Sequence, residues 1–306
     1  MANTLDNLRR LKRDLIYTID DFTRILSDNF SAQSPIVNKK EIRVVGLKRS
    51  GNHAIINWML QQEKGNVKHL NNIFPGKNPY RFLAEHYSDP QLHQDARGKF
   101  SPKDCLIYSY ENCRLSKAID PEIEQKHDIY LGKSAERYDV VILRDPFNML
   151  ASMVKRHSQQ LKKKNKIKRN YFKIKGEKGA IDISIVDLWI SYAKEYLGET
   201  QFLSQTKVPI NYNSWFLSVD YRKEIAEQLK LEFSDRGFDT VRKNGTGSSF
   251  DGLNFDGQAA KMDVLNRWKT VADDINYRAL FNNPEIFEYS ERIFGHIPGT
   301  EALRSE

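Results

Sequence analysis

The stretch EIRVVGLKRSGNHAIINWMLQ, residues 41–61, changes its pattern twice. Residues 41–46 read as a short apolar strand, 47–52 as a glycine-containing turn, and 54–61 (AIINWMLQ) as an apolar helix. A loop in that setting suits an anion. The first N–H groups of the helix have no acceptor of their own, and the helix dipole adds partial positive charge at the same point. The spacing matches the opening of G-x-x-x-x-G-K-[ST], but Asn52-His53 stands where that motif has Lys and Ser/Thr. In a nucleoside-triphosphate enzyme the lysine reaches the β- and γ-phosphates and the hydroxyl holds Mg²⁺. Both are replaced here, which disfavours Mg²⁺-dependent hydrolysis of ATP or GTP and leaves Lys48 and Arg49 as the cations of the loop. Taken alone, the loop reads equally as a strand-to-helix turn with two exposed cations.

Further along, apolar strands are expected at 104–110 (DCLIYSY), 138–143 (YDVVIL) and 208–212 (VPINY). Helices are expected at 147–157, 185–202, 219–230, 261–275 and 284–294. Strands alternating with helices predict an α/β domain, a parallel β-sheet flanked by helices. Residues 62–103 and 245–257 read as turn-rich or loop. Before the first strand, Leu8, Leu11, Leu15, Ile19, Phe22 and Leu26 recur at steps of three and four. Residues 5–27 are therefore expected to form an amphipathic helix that packs across the main domain or a partner subunit, a homodimer among the options. Residues 31–40 read as a linker. The expected organisation is a helical arm and linker over 1–40 and one domain over 41–306.

Composition narrows the classes. The 306 residues are 40% hydrophobic and 29% charged, which excludes disorder as the dominant state. No run is long and apolar enough for a membrane span, and two cysteines without metal-ligand spacing point to neither a disulfide scaffold nor a zinc site. A cytoplasmic location is the resulting expectation. The net charge of +8 is localised: residues 155–178 hold eleven basic residues against one acid, so that segment carries +10 and the rest nets −2. Such a strip reads as a solvated loop, a lid over an anionic ligand, or a polyanion-binding surface. Nucleic acid is disfavoured, because only Tyr171 and Phe172 interleave the charges. Arg144, at the end of the 138–143 strand, and Ser152, eight residues later on the next helix, are donors at the sheet edge where ligands of α/β proteins bind. Arg144 has an alternative partner in its neighbour Asp145.

In this order the motifs resemble those of the sulfotransferases that use 3′-phosphoadenylyl sulfate (PAPS). KRSGNH at 48–53 is similar to their 5′-phosphosulfate loop, and VVILRDPFNMLASMV at 140–154 to their 3′-phosphate strand and helix. PINYNSW at 209–215 falls where the family has a strand ending in tyrosine. VRKNGTGSSF at 241–250 resembles the late Arg-Lys-Gly loop, and Asn266-Arg267-Trp268 the C-terminal Arg-Trp segment. The resemblance spans about residues 41–295 and implies a P-loop-like sulfotransferase fold. It departs in two places: Arg49 stands where the family's lysine is usual, and Ala54 where the cytosolic branch has an adenine-stacking tryptophan.

The resemblance implies PAPS as co-substrate and no metal. PAPS would be bound by Lys48, Arg49, Ser50, Gly51, Asn52, His53, Arg144, Ser152, Tyr212, Arg242, Lys243 and Gly245. Arg49 is assigned to the charge growing on the leaving phosphate oxygen. A base must take the acceptor's proton. Glu111, at the end of the 104–110 strand, is the first candidate, although it reads equally as a surface carboxylate. His53 is the second, with hydrogen bonding to the phosphosulfate or helix capping as its other readings. The expected acceptor is a small metabolite or natural product bearing a hydroxyl or amine. Its pocket is expected from loops 65–100, 113–135 and 158–182, where Tyr80, Phe82, Tyr87 and Tyr130 suit a ring. The rivals are a nucleotide-dependent kinase-like P-loop enzyme and a non-catalytic polyanion-binding module using residues 155–178.

Overall fold

Five strands build the sheet: β1 (Ile36–Gly46), β2 (Val67–Leu70), β3 (Lys103–Glu111), β4 (Lys133–Leu143) and β5 (Thr206–Asn211). Their order is β2-β3-β1-β4-β5. β2 runs parallel to β3 from Val67↔Cys105 to Leu70↔Tyr108, and β4 runs parallel to β5 from Tyr138↔Thr206 to Leu143↔Asn211. Val44, Val45, Leu106, Ile107 and Val140–Leu143 are all buried, the near-continuous apolar pattern of strands covered on both faces. The helices that matter below are α1 (Ala2–Phe30), α2 (Asn52–Gln62), α3 (Pro79–Ala84), α4 (Pro90–Ala96), α5 (Pro146–Lys163), α6 (Ile185–Tyr196), α7 (Tyr212–Leu217), α8 (Val219–Gln228) and α9 (Glu285–Phe294). This computed structural model describes residues 2–30, 35–163, 172–174, 182–241 and 247–304. The expected α/β architecture with a helix-flanked parallel sheet is what the chain forms.

Two compact units divide the chain: Met1–Arg43 with Gly65–Tyr110 and Ser116–Arg137, and Val44–Lys64 with Glu111–Leu115 and Tyr138–Glu306. The first is organised around a buried carboxylate. Glu41 accepts from Tyr108 Oη (3.0 Å) and from Ser134 Oγ, and lies 2.7 Å from His127 Nε2. The other ring nitrogen of His127 lies 2.8 Å from Asp128 Oδ1. Burial alone would push the imidazole down, but the hydrogen bonds to Asp128 and Glu41 and the charge of Glu41 outweigh it and raise His127 to about 9. Glu41 is likewise held below the ordinary carboxylate range: burial opposes its ionisation, and His127, Arg137 and Ser134 overcome that.

The second unit packs on aromatic side chains. Trp58 of α2 meets Trp215 of α7 edge to face at 6.2 Å, and its indole N–H donates to Asp235 Oδ1 at 3.0 Å. Arg222 of α8 holds the same carboxylate with two bonds of 2.7 Å and donates to Trp215 O at 2.7 Å. These contacts fix α2, the helix that follows the loop after β1.

Several expectations need correction. Residues 36–40 are strand, not linker: Asn38 is buried and its amide donates to Leu131 O (3.1 Å), Gly132 O and Ser134 Oγ, which draws this polar stretch into β1. The turn-rich reading of 62–103 misses β2, α3 and α4, whose starts carry Asn78 and Asp89 caps followed by proline. Tyr80 consequently sits in the core against Phe100 rather than in a loop. The helix expected over 185–202 stops at Tyr196, because Glu195 accepts from Thr200 Oγ1 and from the amides of Phe202 and Leu203 and turns the chain back. The strand expected to reach Tyr212 ends at Asn211, which caps α7 through Ser214 N. The apolar stripe of the N-terminal helix faces solvent, not the domain. Half of the basic strip, residues 164–171 and 175–178, lies outside the described residues.

A group held above its unfolded pKa stabilises the fold below the unfolded value, and that contribution is lost as pH rises through the folded one. For His127 the window is about pH 6.5 to 9. Denaturant titrations of the full chain are expected to show stability falling by a few kcal/mol across that window. The His127→Gln variant should be less stable at pH 6 and largely lose the slope.

Candidate functional site

Ligands of parallel sheets bind outside the carboxyl ends of the strands. In the second unit β1 ends at Gly46, β3 at Glu111, β4 at Leu143 and β5 at Asn211, and each end carries one of the residues singled out by sequence.

The loop after β1 is tightly folded. Lys48 N donates to Asn112 Oδ1 at 2.7 Å, Ser50 N to Leu47 O at 3.1 Å, and Asn112 N to Gly46 O at 3.1 Å. Arg49 is held at φ 73°, an unfavourable region for a side chain with a Cβ, and Gly51 at φ 85°. Glycine at 51 has a second reason: a Cβ there would lie 2.1 Å from Tyr212 Cε2. Gly51 stands at the N-cap of α2 and supplies no side-chain cap, so the first amides of the helix stay available to an anion. Ser50 Oγ is fully buried and finds no hydrogen-bond partner among the described residues. A buried hydroxyl in that state calls for a ligand or water. Lys48 is exposed and Arg49 half-buried.

Asn52 ties the loop to the end of β3. Its amide nitrogen donates to Leu47 O and to Glu111 Oε1, both at 3.1 Å. His53 Nδ1 lies 3.6 Å from that same carboxylate oxygen. Glu111 is 10% exposed and His53 32%. The two residues that sequence reading set up as competing bases thus form one cluster, with the carboxylate set back and the imidazole open to solvent.

Arg144 follows β4 and is 2% exposed. Its Nη1 donates to Arg49 O at 3.1 Å and its Nη2 to Val264 O, so the guanidinium ties the loop to the late segment of the chain. It lies 4.9 Å from the centre of the Tyr212 ring. Two of its five N–H groups are used in these bonds, and Nε is buried without a partner among the described residues. The backbone here is pinned as well: Trp189 Nε1 of α6 donates to Arg144 O at 3.0 Å. Asp145 caps α5 by accepting from Asn148 N at 2.8 Å, ahead of Pro146 at the first helical position. Burial pushes its carboxyl up against the pull of Arg144. Ser152 is buried, and its hydroxyl proton is committed to Asn148 O at 2.9 Å.

The late segment was expected as one helix over 261–275 and forms short 3-10 turns instead, Ala259–Lys261 and Arg267–Thr270. The cause is visible in its carbonyls. Val264 O receives Arg144 and Leu265 O receives Asn148 Nδ2, while Trp268 N donates to Asn148 Oδ1, so these groups serve the site rather than an α-helical ladder. This arrangement brings in Arg267, which sequence reading noticed only within a triplet. Arg267 donates to Ser248 Oγ and Asp251 Oδ2, both at 2.8 Å. Burial, then the charge of Arg144, pulls it down to about 10, with Asp251 pulling the other way. Arg144 and Arg267 are thus close enough for their charges to repel, with Asp251 as the carboxylate paired to Arg267. Asn148 carried no sequence signal at all. Arg242, Lys243 and Gly245 lie outside the described residues.

Among the described residues no group of three or more His, Cys, Asp or Glu could hold a metal, and no helix is long and apolar enough to cross a membrane. No family model matches the chain, and no curated protein matches it. Among solved structures it is similar to mouse sulfotransferase SULT7A1 complexed with PAP, at 13% identity and a TM-score of 0.44, over 87% of this chain and 88% of that one.

The contact between Gly51 and Tyr212 has a measurable consequence. Gly51→Ala is expected to cost on the order of 1–3 kcal/mol of stability and to disrupt the loop. Gly76→Ala is the control: φ is 76° there, but nothing lies within 4 Å of the added Cβ, so only the backbone penalty of about 1 kcal/mol applies. Denaturation midpoints of the two variants make the comparison.

Proposed function

We propose that the chain is a sulfotransferase that moves a sulfuryl group from PAPS to a hydroxyl or amine of a small metabolite or natural product. The observation that carries this reading is the buried Arg144, with a partnerless Nε among the described residues and with Arg267 near enough to feel its charge, tied to a phosphate-type loop that lacks the nucleotide-hydrolase lysine. Arg144 donates to the loop's own Arg49 carbonyl, and the loop contains a buried, unpartnered Ser50 hydroxyl. The order of the sequence motifs supports the same reading.

In this reading the amides at the start of α2, with Ser50 Oγ and Lys48, hold the 5′-phosphosulfate. Arg49 faces the bridging oxygen, where charge builds as the sulfuryl group leaves. Arg144, Arg242 and Lys243 take the 3′-phosphate, Ser152 joins them by turning its hydroxyl from Asn148 O to the phosphate on binding, and Arg267 adds to the positive field around it. Tyr212 supports both ends, with its ring against Gly51 and Arg144. Sulfuryl transfer resembles phosphoryl transfer in depending on in-line positioning and electrostatics. The transferring group carries one negative charge, which side-chain cations and loop amides can balance. His53, the more exposed of the two, takes the acceptor's proton, with the Glu111 carboxylate 3.6 Å from its Nδ1.

Calorimetry with adenosine 3′,5′-bisphosphate is expected to show saturable binding, and its release from PAPS in a screen of small hydroxyl and amine acceptors would identify the substrate. Absence of binding, with Mg²⁺–ATP bound in its place, overturns the reading in favour of a kinase-like enzyme. Arg49→Ala is expected to lower turnover by roughly 10²–10³ while shifting bisphosphate affinity less than about tenfold. His53→Ala should lower turnover by about 10²–10⁴ and abolish the acidic limb of the pH–rate profile, where protonation of the base removes activity, and Glu111→Gln should also lower turnover. A profile unmoved by either substitution rules out this base.

A further inference from the structure

α1 is held to its unit by its polar side. Asp21 pairs with Arg81 (2.5 Å), Asp20 with Arg97 (2.8 Å) and Arg13 with Glu85 (3.0 Å), while Tyr17 is buried beneath the Arg81 guanidinium. The opposite face carries Leu8, Leu11, Leu15, Ile19, Phe22, Ile25 and Leu26, all between 40% and 68% exposed. This inverts the ordinary arrangement, in which an amphipathic helix buries its apolar stripe and shows water its charges. The helix has 29 residues, so the stripe lies on a rod about 43 Å long. Seven large apolar side chains along it expose an area on the order of 600 Å², the top of the range for the largest patch on a monomer. With its flanks, such a face approaches the roughly 800 Å² per partner of a stable interface.

We propose that the chain is a homodimer whose subunits pair through antiparallel α1 helices. The stripe is its own complement: Leu11 of one copy falls opposite Leu26 of the other, Leu15 opposite Phe22, and Ile19 near the twofold axis. Arg13, Asp20 and Asp21 are spent on ion pairs within the subunit, so the apolar stripe alone sets the direction, which the cross-linking below reads. A membrane surface is a poorer occupant, because the acids Asp14, Asp20 and Asp21 share the polar face with the cations.

The test is the mass of the full chain by sedimentation equilibrium at tens of micromolar. The expected result is twice 35.7 kDa for the native sequence and a single chain for the Leu15→Glu/Phe22→Glu double variant. Both side chains are exposed in the single chain, so circular dichroism should stay unchanged in the variant, and its unfolding midpoint should match that of the native chain diluted until the dimer dissociates. Orientation is read by cross-linking: Ile19→Cys should oxidise to a covalent dimer, and Leu8→Cys, about 30 Å from its counterpart in the antiparallel pair, should not. Cys105 and Cys113 are buried and do not interfere. A monomeric native chain, a double variant that remains dimeric, or cross-linking through Leu8→Cys would each overturn the proposal. So would a monomer that co-sediments with phosphatidylcholine–phosphatidylglycerol vesicles, which would make lipid the occupant.

Discussion

A buried guanidinium holding backbone carbonyls from two distant segments is the constraint on which the site depends. Arg144 reaches Arg49 O in the loop after β1 and Val264 O in the late segment, residues separated by more than two hundred positions in the chain. A cation with so little access to water is costly unless its donors are used and an opposite charge is near. Backbone oxygens supply only partial charge, and the neighbouring carboxylate, Asp145, is itself pushed up by burial. Arg267 is paired to Asp251, whereas Arg144 keeps a buried Nε without a partner among the described residues, a donor on a buried cation that suits an anionic ligand.

The same logic governs the first unit with the opposite outcome. There the buried charges are matched: Glu41 is met by His127, Arg137, Tyr108 and Ser134, and Lys103 lies 3.4 Å from Asp95. Matched buried charge serves structure and couples stability to pH, whereas the Nε of Arg144 and the Ser50 hydroxyl in the loop it holds, both partnerless among the described residues, suit a ligand. The contrast between the two clusters distinguishes a structural network from a candidate site more sharply than burial alone.

Much of the architecture was legible because strands covered on both faces must be apolar throughout. Residues 41–46, 104–110 and 138–143 announced themselves in this way, and the glycine loop between strand and helix announced a turn suited to an anion. The elements that escaped notice are polar or irregular for a local reason. Residues 36–40 entered β1 because Asn38 found three acceptors around residue 131, a fact of tertiary contact. The 261–275 segment lost its helix because Arg144 and Asn148 took its peptide groups. In α1 the periodicity of three and four correctly implied a helix with an apolar face. Which face meets the body of the protein was settled by Asp20, Asp21 and Arg13 finding Arg97, Arg81 and Glu85.

Residue order alone determined the α/β alternation, the anion-suited loop with its exchanged lysine, and the identity of the cations near it, since these follow from periodicity and local backbone chemistry. Only the tertiary structure decided that His53 and Glu111 act as one cluster, that Arg144 is a buried tie, and that Arg267 and Asn148 belong beside it. Each of those facts depends on contacts between residues far apart in the chain, where burial and neighbouring charge set what a side chain can do.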